Sequence, residues 1–433
     1  MAIIQTSGNS MKISLEPLTR VGGSALLEII KEEGSLKEVR FAIRETPRLM
    51  ESLLIGKSYK VLPEITARIC GICPIAYQIT ALQAVEEAFE VKIPQEILSL
   101  RKLLYFAEWI HSHTLHLFFV HLPDYFKLPS FLELYHKEPF MLEKVLYLRD
   151  TVSLLIETLG GRTIHPVALI AGGFSSVPES LSNLQKPLEE SINIAVELFA
   201  KLSSLKYPEF SFKEVIYVSL IGDDYPLLGD LIFDGREKIS KRDFRHYFKE
   251  IKVPYATANF YLSSEGKAYL VGPLARFNNA FEKLSPIAQS LALKYGVFPP
   301  LNNPYRSALI RMLEILHSLE KSLEIVKTYR KPPSPSLEVM VKESEGFGVT
   351  EAPRGILWHH YKFDSQGTIT YARLITPTAQ NLKLIELTLT ELLAKEKELK
   401  EEELLSKAEP MIRNFDPCLP CATHFLEVKI KEN

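Results

Sequence analysis

The amino-acid sequence predicts a mixed α/β protein, predominantly helical, with a core bundle of long helices and β-hairpins at its periphery. Three observations carry that reading. Apolar residues recur at helical spacing over four long stretches between about 95 and 330. Runs of strand-like composition lie near the N-terminus and again after about 355. With 433 residues, 46% hydrophobic and 24% charged, the chain has the composition of an ordinary soluble globular protein and the length for one large domain with a substantial core.

The elements follow in order. Residues 11–47 read as strands, with a hairpin around the turn "KEEGS", Lys31 to Ser35. A short helical stretch precedes "CGIC" at Cys70 to Cys73, and "PIAYQITALQAVEEAFE" continues as a helix. Long helices are then expected over Glu96–Leu122, Phe140–Gly161, Glu179–Leu205 and Asn303–Tyr329. The second ends at a glycine pair, a common stop. Residues 207–280 carry glycine, aspartate, proline and short strand-like runs, a smaller β-containing insertion. Lys331–Gly355 is rich in proline and glycine and leads into a hairpin over Ile356–Pro377. A last helix, Asn381–Phe415, delivers the chain to "DPCLPC". We divide the single domain 1–433 into an N-terminal β region (11–60), a helical part with the first cysteine pair (61–205) and the insertion (206–285). A C-terminal part (286–424) and a short tail (425–433) complete it.

Composition excludes several classes. The net charge of −2 gives no basic surface for nucleic acid. The longest apolar runs, such as "LHLFFVHL" from Leu115 to Leu122, are about half a membrane span and hold histidines, so no direct membrane insertion is expected. No secretory leader is legible at the N-terminus, which points to the cytoplasm.

Cysteine is used sparingly and with purpose. All four cysteines fall in two CxxC pairs, Cys70/Cys73 and Cys418/Cys421, at opposite ends of the chain. Four are too few for a disulfide scaffold of this size. Two CxxC pairs brought together would make a four-thiolate metal site, and a structural zinc is the commonest outcome of that pattern. A redox dithiol is a further alternative, although the compact βαβ setting it needs is not visible. Against zinc stand the very long intervening loop, the apolar helical surroundings, and chemically rich neighbours: Arg68 before the first pair, and Asp416, Pro417 and His424 around the second.

"RICGIC" and "DPCLPCATH" together resemble the two metal-binding motifs of the large, catalytic subunit of nickel–iron hydrogenases. "TRVGG" (Thr19–Gly23), "PRLMESLLIG" (Pro47–Gly56), "HSHTLHLFF" (His111–Phe119) and "GGRTIHPVALIAGGF" (Gly160–Phe174) extend the likeness, as do "TEAPRG" (Thr350–Gly355) and "TPTAQNL" (Thr376–Leu382). Residues 205–330 match only weakly. The resemblance implies reversible heterolytic cleavage of H2 at a nickel–iron centre whose iron carries CN and CO. It makes Cys70 and Cys418 terminal nickel ligands, and Cys73 and Cys421 bridges to iron. Arg354 would hang over the metals, oriented by Asp416. Pro353, Arg354 and Thr378 would surround the cyanides. A magnesium (or iron) would be held by Glu51, the Leu374 carbonyl and His424. An iron–sulfur small subunit is implied for electron exit, with NAD(P)- or deazaflavin-linked subunits beyond it. A maturation endopeptidase would cut after His424, removing Phe425–Asn433.

Two departures stand out. The family's proton-relay glutamate falls at Gly22, which can hold no proton, leaving Glu16, Glu28, Glu45 or water as substitutes. That loss also raises the possibility of an H2 sensor or slow hydrogenase. Ser112 stands where membrane-bound members have aspartate, closer to the cytosolic, nucleotide-linked members. The rival readings are a binding protein built around a zinc site and a respiratory-complex subunit of the same fold, which normally lacks these cysteines.

Overall fold

A computed structural model describes residues 2–7, 10–15, 18–33, 35–394 and 401–423. Its N-terminal strands, Ala2–Ser7, Ser10–Leu15, Ala25–Glu32 and Ser35–Ile43, form an antiparallel meander in chain order. The hairpin expected at "KEEGS" is present, with Glu32 opposite Ser35. Alternation places Leu27, Ile29, Val39 and Phe41 on one buried face. The edge of the last strand is covered by the Pro377–Ala394 helix: Phe41 N–H donates to Glu386 Oε1 at 3.1 Å and Val39 N–H to Thr390 Oγ1 at 3.2 Å.

The helical core follows the expected stretches. Gln95–Thr114 and Ser307–Thr328 pack together, flanked by Pro139–Gly160 and Ser182–Ser203. Ser307–Thr328 is buried continuously from Ser307 to Leu319, as expected of a helix enclosed by its neighbours. Pro139–Gly160 stops at Gly161, whose φ of 80° is the left-handed conformation glycine supplies. No described helix is long and apolar enough to cross a membrane.

Two expected helices differ in detail. The stretch Glu96–Leu122 is α-helical only to Thr114, passes through a π-helical turn at Leu115–His121, and resumes at Leu122–Tyr125. Pro123 has no N–H to return to the preceding turn, so a regular α ladder cannot run through it. The last helix starts earlier, at Pro377, and is described in two pieces, Pro377–Ala394 and Glu401–Asn414.

Residues 216–270 contain short strands, from Ile216–Tyr217 to Tyr269–Leu270, distributed among small separate sheets. The segment read as a proline- and glycine-rich lead-in holds an unexpected strand, Ser344–Ala352. It joins Gly355–Phe363 and Ile369–Ile375 in an antiparallel sheet. The helix Pro74–Ala88 lies directly on that strand. A Cβ at Gly346 would come within 2.0 Å of Ala84 O, and one at Gly348 within 2.0 Å of Thr80 O. The glycines therefore permit a close approach of helix to sheet. The helix that begins beside the first cysteine pair is thereby locked to the strand that ends beside Arg354.

Candidate functional site

Both cysteine pairs open helices. Cys73 caps Pro74–Ala88, and Cys418 caps the short helix Leu419–Ala422. The fold brings them together. Cys70 Sγ lies 3.9 Å from Cys418 Sγ, and the sulfurs of Cys70, Cys73 and Cys421 all lie within 4.8 Å of one another. Cys418 and Cys421 are in disulfide contact, with Cα atoms 5.4 Å apart. All four are buried. The Ile72 and Cys73 amides each donate to Cys70 Sγ at 3.4 Å. Cys70 is pulled down to about 6, first by the hydrogen bond from the Cys73 thiol, with burial opposing and Arg354 assisting. The same bond and burial push Cys73 up. When reduced, Cys70, Cys73 and Cys421 are soft donors within reach of one shared ion, with Cys418 beside Cys70, and the set fits a thiolate-bound metal centre.

Arg354 sits at the tip of a two-residue hairpin turn: Ala352 pairs with Gly355, so only Pro353 and Arg354 form the loop. Its Nη1 is 3.9 Å from Cys73 Sγ. Its Nε donates to the Asp416 carbonyl at 2.8 Å and its Nη2 to Asp416 Oδ1 at 3.0 Å. Asp416 adopts a φ of 50°, a conformation aspartate tolerates better than most residues, and so presents both oxygens to one guanidinium. The charges of Asp416 and the two cysteines hold Arg354 firmly protonated against burial. Thr378 Oγ1 accepts the Cys418 N–H at 3.0 Å, which leaves its own O–H to donate.

Three residues that sequence reasoning missed hold this arrangement. Arg48 donates to Ile69 O at 2.7 Å and to Pro420 O at 3.4 Å, bracing both cysteine segments at once. Glu108, fully buried, accepts the amides of Ile75 at 2.5 Å and Ala76 at 2.9 Å, closing the helix N-terminus next to Cys73. Burial pushes its carboxyl well up despite those bonds. Arg276 forks onto Glu314 at 2.7 Å through two nitrogens, reaches Glu351 at 2.9 Å, and donates to Pro353 O at 3.0 Å. It thus fixes the backbone from which Arg354 projects. Each partner lies far away in sequence, so no local signal could announce these contacts.

The positions expected for a second metal are only partly assembled. Glu51 and Leu374 meet, but through the Leu374 amide, which donates to Glu51 Oε1 at 2.7 Å. The other carboxylate oxygen faces Arg373 Nη1 at 3.3 Å. Arg373 thus shares the Glu51 carboxylate beside Leu374. His424 lies outside the described residues.

Gly22 stands beside the second pair. It forms a parallel bridge with Cys418, and its carbonyl accepts the Leu419 amide at 3.0 Å. Gly22, His116, Arg354, Asp416 and Cys418 line a cavity of about 80 Å³. Of the substitutes considered for the missing glutamate, Glu28 is engaged by Lys12 at 2.6 Å on the N-terminal sheet. Glu45 accepts the Ser24 amide at 2.5 Å. Neither lines the cavity. Glu16 lies outside the described residues. Ser112 is buried in the helix Gln95–Thr114 with its hydroxyl unpartnered.

Comparison with known proteins matches this frame. A family model described as nickel-dependent hydrogenase matches residues 48–149 and 306–424. The chain is 33% identical over 427 residues to the alpha subunit of sulfhydrogenase 1 of Pyrococcus furiosus, spanning 96% of this chain and 99% of that one. It is 30% identical over 457 residues to a subunit of the F420-non-reducing hydrogenase vhc of Methanococcus voltae, spanning 95% of each. Among solved structures, a chain of an NAD+-reducing [NiFe]-hydrogenase in its H2-reduced state superposes with a TM-score of 0.86 at 24% identity, over 95% of this chain and 99% of that one.

Proposed function

The chain belongs to the nickel-dependent hydrogenase family as a large, catalytic subunit that acts on H2, and from that premise we propose how its residues do the work. Cys70, Cys73, Cys418 and Cys421 would hold the nickel–iron centre, Cys70 and Cys418 serving nickel and Cys73 and Cys421 serving nickel and iron. The observation that supports this most is the convergence of two buried CxxC pairs from opposite ends of the chain beneath Arg354. When bound, the metal pair supplies the Lewis acidity that polarises H2 and accepts its electrons.

The protein's own groups handle the proton. Arg354, kept charged by Asp416, cannot accept one, so a cysteine thiolate is the base, and Cys418 lines the cavity. Arg354 N–H groups supply a fixed positive field over the reacting atoms, and Asp416 prevents the guanidinium from turning away. The Thr378 hydroxyl and Arg354 are the donors we assign to cyanide ligands on iron, with Pro353 beside them in the same environment. Glu51, the Leu374 carbonyl and His424 would hold a magnesium (or iron), and nothing is routed through it. The zinc-structured binding protein is not favoured.

We place the protein in the cytoplasm, docked to an iron–sulfur small subunit, because no further cysteine remains to carry electrons out. NAD(P)- or deazaflavin-linked subunits would lie beyond. Relatives named for reducing NAD support the nucleotide arm. A maturation endopeptidase would remove Phe425–Asn433, which intact-mass measurement on the active protein reads directly.

The test is metal content and H2-dependent dye reduction of the purified complex. Serine at any one of the four cysteines should lower nickel and abolish H2 activity together. Full nickel loading in any one of these variants overturns the ligand assignment.

A further inference from the structure

One buried cation beside the site has no counter-charge of its own. Among the described residues six arginines are 9% exposed or less: Arg101, Arg276, Arg311, Arg354, Arg373 and Arg413. Five of them hold a carboxylate at 3.3 Å or closer, on Glu86, Glu314, Asp416, Glu51 and Asp124 in turn. Arg311, 2% exposed in the second turn of the Ser307–Thr328 helix, has no carboxylate in ion-pair reach among the described residues. Glu314 stands three residues on, but both its oxygens are taken by the Arg276 fork at 2.7 Å. A bare guanidinium in a protein interior costs stability, so its position calls for a reason.

Its hydrogen bonds supply one. The helix Glu401–Asn414 ends two residues before Asp416, and its last carbonyls carry the partial negative charge of the helix dipole. Arg311 Nη2 donates to the Asn414 carbonyl at 2.9 Å, and Nη1 donates to Ser307 Oγ at 2.8 Å. The Ser307 hydroxyl in turn donates to the same carbonyl at 3.3 Å. The chain then turns sharply: Asp416 N–H donates to the Arg413 carbonyl at 3.0 Å, and Asp416 takes its φ of 50°. Arg311 thus grips the backbone just before the carboxylate that orients Arg354. Burial opposes the Arg311 charge. Of the groups that support it, Asp416 comes first and Glu314 second. One carboxylate therefore serves two guanidiniums, and Arg311, Asp416 and Arg354 together keep one net positive charge beside the four sulfurs.

We propose that Arg311 is a positioning residue for the reaction: it anchors the turn that carries Asp416, and its charge holds the Asp416–Arg354 pair in one orientation and leaves that pair's surroundings net positive. The inference rests on the hydrogenase reading. Arg311 acts through Asp416 and its backbone, and its field is fixed before any substrate arrives. Without it, Asp416 would neutralise Arg354 alone, and the turn at Asn414 would lose its anchor.

The test uses the complete, metal-loaded hydrogenase complex carrying Arg311→Gln or Arg311→Lys. Metal content, H2-dependent dye reduction and the infrared CO and CN bands are read in each. Glutamine offers an N–H donor and loses the charge; lysine keeps the charge and loses the fork. Turnover should fall about tenfold or more in Arg311→Gln, with nickel and iron retained. Its CO band should move to lower wavenumber, because a weaker positive field lets iron donate more electron density into CO. A crystal structure of Arg311→Gln should show the Arg354 side chain in more than one orientation. Arg311→Lys should stay within about threefold of wild type, with its bands unmoved. A role in packing or hydrogen bonding alone would spare glutamine or cripple both variants alike. Equal behaviour of the two variants, or unmoved bands in fully loaded Arg311→Gln, overturns the inference. If Arg311→Gln fails to load its metals, Arg311→Lys decides: turnover and bands like wild type uphold the charge, and failure of both variants overturns it. A wild-type complex without H2 activity overturns the hydrogenase reading. An active wild type with indifferent variants overturns this inference alone.

Discussion

Gly22 and Cys418 lie side by side as a parallel β-bridge, and the amide of the next residue, Leu419, donates to the Gly22 carbonyl at 3.0 Å. The N-terminal segment is thus bound to the second cysteine pair. A side chain at Gly22 has room: a Cβ there would meet only Pro417 O, at 3.7 Å. Gly22→Glu should fold normally. Because wild type has no carboxylate at this position, H/D exchange in this single variant should rise. An unchanged or lower exchange rate would show that a different route already carries the protons.

Arg354→Lys should keep its metals and lose most of its turnover. Arg354 uses Nε and Nη2 on Asp416 while Nη1 reaches toward Cys73. An ammonium cannot span these three directions. We expect turnover to fall about 100-fold or more, the scale of losing a preorganised donor, with nickel content unchanged. Dye reduction alongside elemental analysis checks both halves.

Arg276→Met should cost roughly 3–5 kcal/mol of stability, because it strands Glu314 and Glu351 as buried, unpaired charges. Both carboxylates and the guanidinium are 0% exposed. The same change frees the Pro353 carbonyl and so loosens Arg354. Chemical denaturation measures the first effect. Loss of turnover in excess of unfolding measures the second.

Acid should weaken the fold through two histidines remote from the cysteines. Burial holds His317 and His359 near 3, against an ordinary value of 6.5. Unfolded, each binds a proton below about 6.5. Folded, neither does until about 3. The unfolded state therefore gains stability as pH falls through that window, by roughly 2 kcal/mol per histidine at pH 5. His359→Phe should remove about 1.4 kcal/mol per pH unit from the slope of stability against pH between 6 and 4. An unchanged slope would contradict the burial account.

What was legible in the chain was what short motifs encode. The two CxxC pairs, the motif that holds Arg354 and the hairpin at Lys31–Ser35 stand in contiguous residues, and the long helices announce themselves by periodicity. The strand Ser344–Ala352 was missed because Gly346 and Gly348 ordinarily argue against a strand, and here they serve the contact with Pro74–Ala88. The π turn was missed because its apolar run reads equally well as α-helix. Arg48, Glu108 and Arg276 act on backbone atoms remote in sequence, a relation that only the folded chain expresses. The positions assigned to a second metal were legible by motif alone, and Arg373 beside Glu51 carries no sequence signature of its role.

The most direct test of the central claim is infrared spectroscopy of the purified, nickel-loaded complex. A nickel–iron centre on Cys70, Cys73, Cys418 and Cys421 predicts stretching bands of metal-bound CO and CN that shift when H2 is added and vanish in the Cys421→Ser variant. A nickel-containing, H2-active preparation with no such bands, or with bands untouched by that substitution, would contradict it.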